Sequence, residues 1–400
     1  VPRAGQDRPA LPKRTSHPRR LRNWRAVHTW TSLACTVFLL VLCLTGLPLV
    51  FSQEIDNWLD QGRPYADLPA DAPRASLDTI VATARARYPG EFVRFVFVDP
   101  KEPQVQVTLA PSDDADFSLN HRIKFDARTG EILREFGDAA TGGHAVMDVI
   151  LHLHTDLFAG LWGELFLGLM AALFAAAIVS GVVLYGPYMK KLRFGTVRDG
   201  RTPRLRWLDL HNLVGAATLA WAATVGLTGF INELAAPMFS LWRSTEVRDV
   251  LAPLRHTTAP MQLASVQQAY DVVRRANPDT VPTSIVFPTS RFGSARHYLI
   301  WTEGATPLTS RLYTPALVDG ESGALAAVIR MPWYLKVLEM SRPLHFGDYA
   351  GLPLKILWAL LDLCLIVVLG SGLFLWVARR RPHPSSEATP HDIPAAVSDE

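Results

Sequence analysis

Four stretches of this 400-residue chain are apolar for long enough to cross a lipid bilayer, and that limits what it can fold into more than any other feature. A hydrocarbon core about 30 Å thick takes about 20 predominantly apolar residues in a helix. The stretches run from Thr29 to Phe51, Leu157 to Tyr185, Leu213 to Ile231 and Leu352 to Val377. A chain that is 49% hydrophobic and only 19% charged is too apolar for an ordinary soluble domain, so composition agrees. The first stretch is longer than a signal-peptide core and no small-residue cleavage site follows it, so it is expected to stay as a helix.

Basic residues orient the spans. Arg3, Arg8, Lys13, Arg14, Arg19, Arg20, Arg22 and Arg25 precede the first. Lys190, Lys191, Arg193, Arg198, Arg201, Arg204 and Arg206 fill the short connection between the second and third, and Arg379, Arg380 and Arg381 follow the fourth. The positive-inside rule puts both termini and this connection in the cytoplasm and both long loops outside, in the periplasm of a bacterial inner-membrane protein. The expected division is a disordered N-terminus at 1–18, spans at 19–53, 146–188, 207–234 and 343–378, external domains at 54–145 and 235–342, a basic loop at 189–206 and a cytoplasmic tail at 379–400. Topology accounts for the basic tracts, and no nucleic-acid partner is expected.

The chain also repeats itself. Trp24 and His28 recur as Trp207 and His211, and Leu44-Thr45-Gly46 recurs as Leu227-Thr228-Gly229, both at an offset of 183. Leu153-His154 recurs as Leu344-His345, and Ser180-Gly181 as Ser371-Gly372, at an offset of 191. In the external loops Ser76–Pro89 matches Ser265–Pro278. Leu77, Ile80, Val81 and Ala84 recur at helical spacing, and Val105, Val107 and Leu109 alternate with polar neighbours as in a half-buried strand. Asp126 to Gly130 and Asp319 to Gly323 read as hairpin turns. The expected fold class is an α-helical membrane protein of two pseudo-symmetric halves, each a span, a small external α+β domain and a second span.

Five of the twelve histidines lie at span ends: His28, His152, His154, His211 and His345. His28 and His211 open the outward-running spans, so both sit at the cytoplasmic side. His154 and His345 are read as opening the inward-running spans, so both sit at the external side. Two pairs at two depths, each drawn from parallel helices, is how a helical bundle holds a bis-histidine haem. Gly46, 18 residues or about 27 Å beyond His28, reaches the depth of the outer pair, as does Gly229. Gly181 and Gly372 reach the inner pair. Small residues there are expected to give a cofactor room, or only to pack helix against helix. His152, two residues from His154, points to a different helix face and stands as the alternative ligand. Asp156 and Asp348 keep zinc in view, although such pairs do not make a closed tetrahedral site. Cys35, Cys43 and Cys364 lie in apolar runs and read as buried core. There is no C-x-x-C-H for covalent haem, and no G-x-G-x-x-G at a strand–helix junction for a nicotinamide or flavin.

The span starts RNWRAVH and LRWLDLH, the turn DARTGEIL (Asp126–Leu133) and the segment LHTDLFAGLWGE (Leu153–Glu164) resemble the PepSY-associated transmembrane family over about residues 20–380. Within it the chain looks most like the ferric-siderophore reductases of the ferrioxamine type. The resemblance implies PepSY-like external domains, two haems b, and reduction of an Fe(III)-siderophore on the periplasmic side by electrons from membrane quinol or a cytoplasmic donor. On that reading the protein is an oxidoreductase with no catalytic triad, and His28, His211, His154 and His345 bind the haem irons. Two alternatives stay open: a non-catalytic, peptidase-regulating partner-binding protein, and a transporter. Trp58, Trp162, Trp242, Trp333, Tyr334, Phe346 and Tyr349 are expected to form an outer aromatic belt or a shallow substrate surface.

Overall fold

The computed structural model describes residues 17–380 apart from 60–61, 70, 117–118, 137–142, 190–194, 199–201, 255–258, 290–293 and 307–308. Of the N-terminus expected to be disordered at 1–18, residues 17 and 18 are already helical; residues 1–16, the tail from 381 on, and the basic residues Arg3, Arg8, Lys13, Arg14, Lys190, Lys191, Arg193, Arg201 and Arg381 lie outside the described residues.

Among the described residues four helices are long and apolar enough to cross a membrane: α1 (His17–Val50), α5 (Leu161–Met189), α6 (Pro203–Asn232) and α11 (Gly351–Arg380). Within each half the two spans pack together, α1 on α5 and α6 on α11. The halves then meet through α5 with α6 and α1 with α11. The result is a ring in the order α1, α5, α6, α11, so α1 and α6 face each other across it. Its interior is filled by Cys35, Leu39, Cys43, Met170, Phe174, Trp221, Leu365 and Leu369. At one end lie Arg19 to Arg25, Arg204, Arg206 and Arg379; the other end carries a β-sheet.

The connections differ from the expected continuous spans. His154 and His345 do not open the second and fourth spans. They lie near the C-termini of separate helices, α4 (Gly143–Thr155) and α10 (Trp333–Phe346), packed on α1 and α6 respectively. The chain then breaks. After α4, Leu157, Phe158 and Gly160 take positive φ; after α10, Gly347 is left-handed at the helix C-terminus and Gly351 follows with φ +63°. The spans expected at 146–188 and 343–378 run across these breaks, because the left-handed residues that separate the helices leave no mark in hydropathy.

The sheet departs further from expectation. Instead of two separate small domains there is one eight-stranded antiparallel sheet, in the order β4-β3-β2-β1-β5-β6-β7-β8. The first half supplies β1 (Phe92–Val98), β2 (Gln104–Ala110), β3 (His121–Asp126) and β4 (Ile132–Phe136). The second supplies β5 (Thr280–Val286), β6 (His297–Gly304), β7 (Tyr313–Asp319) and β8 (Leu325–Val328). The halves join where Phe95, Val96 and Phe97 pair with Val286, Ile285 and Ser284. Pairing removes two exposed strand edges, which either half alone would present to solvent. Helices α3 (Leu77–Arg87) and α9 (Val266–Ala276) cover one face, over a core that runs from Leu77 and Val107 to Ile300 and Val318 without interruption. The seam is reciprocal: Ser265 Oγ and the Val266 N–H donate to Asp78, and the Leu77 N–H donates to Gln267.

Both expected hairpin turns are present, with Gly130 and Gly323 at φ +75° and +69°. In each the aspartate accepts from backbone N–H groups within the turn. Burial alone would raise the Asp319 carboxyl. The Arg296 guanidinium and the Ser322 hydroxyl and N–H outweigh it and hold the group well below the usual carboxylate range.

Candidate functional site

The four histidines expected as ligands, His28, His211, His154 and His345, come together as two pairs. His28 and His211 approach with ring centroids 6.4 Å apart at the arginine-rich end, and His154 and His345 with centroids 6.3 Å apart at the sheet end. Each pair bridges the halves: α1 with α6 at one end, α4 with α10 at the other.

Each imidazole is held from behind by a neighbouring helix of its own half, and the device is the same four times. His28 Nδ1 lies 2.9 Å from the Ala177 carbonyl and 3.2 Å from Ser180 Oγ. His211 Nδ1 lies 3.0 Å from both the Val368 carbonyl and Ser371 Oγ. His345 Nδ1 lies 3.1 Å from the Val225 carbonyl and 3.2 Å from Thr228 Oγ1. His154 Nδ1 lies 2.9 Å from Thr45 Oγ1 and also bonds the Leu42 carbonyl. The hydroxyls donate to carbonyls of their own helices: Thr45 to Val41, Ser180 to Ala176, Thr228 to Thr224 and Ser371 to Val368. Their lone pairs therefore accept, and so do the carbonyls. Nδ1 must carry the proton, which leaves the Nε2 lone pair of every ring available to a metal.

The glycines explain the close approach. A Cβ built on Gly181 would lie 3.2 Å from His28 Cε1, on Gly46 3.3 Å from His154 Cε1, on Gly229 3.1 Å from His345 Cε1, and on Gly372 3.5 Å from His211 Cε1. The depths anticipated from helix rise are the depths observed, and at each of them the glycine receives an imidazole. The hydroxyl residue before each glycine was the missed partner, although the signal is in the sequence: a Ser-Gly or Thr-Gly dipeptide recurs at all four places.

His152 faces another way. It is exposed, lies 3.3 Å from Asp156 and stacks on Phe158. The anticipated aromatic belt divides: Trp58 and Trp162 are each 80% exposed, whereas Trp242, at the end of α7 (Ala235–Trp242), is 4% exposed and packed with Leu317 of the sheet and Leu335 and Leu338 of α10. Near the inner pair, Arg198 grips the buried Asp209 with its N–H, Nε and Nη2, which ties the basic connection to α6 two residues before His211. No group of three or more His, Cys, Asp or Glu side chains placed to hold a metal ion occurs among the described residues.

A family model described as the PepSY-associated TM region matches residues 25–379. An uncharacterized protein of Pseudomonas aeruginosa is 26% identical over an alignment of 261 positions that covers 60% of this chain. The chain spans about 65% of the length of that curated relative.

Proposed function

The chain belongs to the PepSY-associated TM family, and from that premise we propose that it is a bacterial inner-membrane oxidoreductase that holds two haems b and passes electrons to an Fe(III)-siderophore of the hydroxamate type. The observation that carries this reading is the pair of facing imidazole sites with all four Nδ1 atoms engaged. Half of each centroid separation, about 3.2 Å, accommodates a metal–nitrogen bond of about 2 Å plus the distance from nitrogen to ring centre. Two protein ligands alone do not complete a zinc site, but two facing imidazoles are the donor set that would hold a haem iron. The donor set therefore fits the cofactor: His28 and His211 would hold one haem, His154 and His345 the other. Haem supplies a reversible one-electron Fe(III)/Fe(II) couple. The protein's part is to hold the axial nitrogens, fix their tautomers and exclude water.

The two sites divide the crossing. Gly46 lies 18 residues beyond His28 on a single helix, a rise of about 27 Å, close to the thickness of the hydrocarbon core. With the arginine-rich end in the cytoplasm, the His28/His211 site would take electrons from a quinol or a cytoplasmic donor, and the His154/His345 site would present them below a PepSY-like periplasmic sheet. Reduction to Fe(II) weakens the hold of hard oxygen ligands and frees the iron for uptake.

Purified wild-type protein should be red, and a pyridine haemochrome assay should give about two haems b per chain and no haem c. A reproducible value near zero removes this reading and leaves the partner-binding and transporter alternatives. The histidine supports give a finer test. Thr228→Val keeps the shape but removes a hydroxyl acceptor from His345. With the Val225 carbonyl still in place, haem retention at the outer site should weaken about tenfold, the lower end of the effect of losing a ligand's supporting partner. Competition with apomyoglobin measures it, and unchanged retention shows that the carbonyl alone suffices.

A further inference from the structure

We propose that Asp362 is a proton-binding site in the middle of the membrane bundle whose occupancy is linked to electron transfer between the two histidine sites; this rests on the two-haem reading. Between the ligand levels the four spanning helices carry a single acidic or basic residue. Residues 29–50 of α1, 165–189 of α5, 212–232 of α6 and 356–378 of α11 contain no Asp, Glu, Lys or Arg other than Asp362. An ionisable side chain at that depth is costly to keep, and it persists where it handles charge.

The repeat shows that the fold does not require it. At the offset of 191 the counterpart of Asp362 is Ala171, a buried apolar residue. At the offset of 183 the counterpart of its neighbour Cys43 is Gly226, where the Phe174 ring fills the space so closely that a Cβ would lie 2.9 Å away. One half thus packs this level with alanine, glycine and a phenyl ring; the other places a carboxyl and a thiol there. The Asp362 carboxyl hydrogen-bonds with the Cys43 thiol, itself 6% exposed, while Oδ2 is buried without a partner. On α6, which packs against α11, Trp221 Nε1 is also buried without a partner. Asp362 is ten residues from Gly372 beside His211, and Trp221 is ten residues from His211 itself. Both therefore lie about 15 Å from the inner site, with the remaining distance leading to the outer one.

Cys43 is the titratable group that faces Asp362 from α1, and α6 and α5 present none at this depth. On α11 itself Cys364 is two residues away, and Lys355, two turns nearer the sheet, is paired with Glu54. Asp362 thus responds to charge at the two histidine sites with little to screen it. When a reduced donor of the quinol class delivers an electron, Asp362 takes a proton from water and passes from carboxylate to carboxylic acid. When the electron leaves for the ferric acceptor, the proton is released. At about 15 Å and an effective dielectric of about 20, one added electron raises the proton affinity about sixfold. By reciprocity the potential of the coupled site falls by about 45 mV as Asp362 ionises.

The test is a spectroelectrochemical titration of wild-type and Asp362→Asn protein across pH, with haem content measured in both. The expected result is full haem in each, a fall in at least one wild-type potential as pH rises, and loss of that fall in the variant. Reduced-minus-oxidised infrared spectra of the wild type provide a readout that needs no variant. A protonated-carboxyl C=O band should appear on reduction. Identical pH dependence in both proteins, or no carboxyl band in the wild-type difference spectrum, overturns the inference while leaving the two haems standing. A wild-type protein without haem overturns both.

Discussion

In His345→Ala protein the haem content should fall from about two per chain to about one, with the spectrum of the surviving haem unchanged. His154→Ala should remove the same component, and His28→Ala and His211→Ala the other. The reason is the separation of the sites. Each pair has its own supporting helices, and about 27 Å of apolar bundle lies between them. The bundle itself should tolerate the substitutions. The carbonyls and hydroxyls behind each ring already belong to helical hydrogen bonding, so truncating the ring leaves no acceptor stranded. The measurements are the pyridine haemochrome ratio and low-temperature α-band spectra of the four variants. If His28→Ala and His345→Ala abolish one and the same component, the pairing of His28 with His211 and of His154 with His345 is wrong. His152→Ala should retain both haems, because His152 is directed to Asp156; loss of one haem in that variant would transfer the ligand role from His154.

Adding a ferric hydroxamate to dithionite-reduced protein should reoxidise the haem, with Fe(II) appearing in a ferrozine assay. His154→Ala and His345→Ala should slow this by orders of magnitude, because they remove the exit site while leaving the inner haem in place. In oriented vesicles the reaction should require the siderophore on the side of the sheet. A ferric siderophore is too large and too polar to enter a hydrocarbon core about 30 Å thick, so it meets the outer site from that side or not at all. If several ferric siderophores leave the haem reduced while another acceptor oxidises it, electron transfer survives as the function and the siderophore assignment falls.

The four spans and the internal repeat were legible in the sequence because both are carried by local, periodic signals. About 20 apolar residues must be helical in lipid, since nothing there can satisfy a free backbone group. The depth of each glycine relative to each histidine was legible for the same reason, since helix rise is constant. The pairing of His28 with His211 was anticipated from depth, and tertiary structure supplied what depth cannot: a ring order that sets α1 across from α6. The identity of the group facing each glycine, an imidazole, depended on side-chain direction, which helix rise does not give. Helix breaks at Leu157, Phe158 and Gly347 are conformational events at the edges of apolar runs, and hydropathy does not register them. The largest difference is the sheet. Each external loop encodes its own helix, strands and turn, because alternation and capping are local. That β1 pairs with β5 is decided by edges belonging to segments nearly 190 residues apart, which become partners only when the four spans bring the two halves side by side.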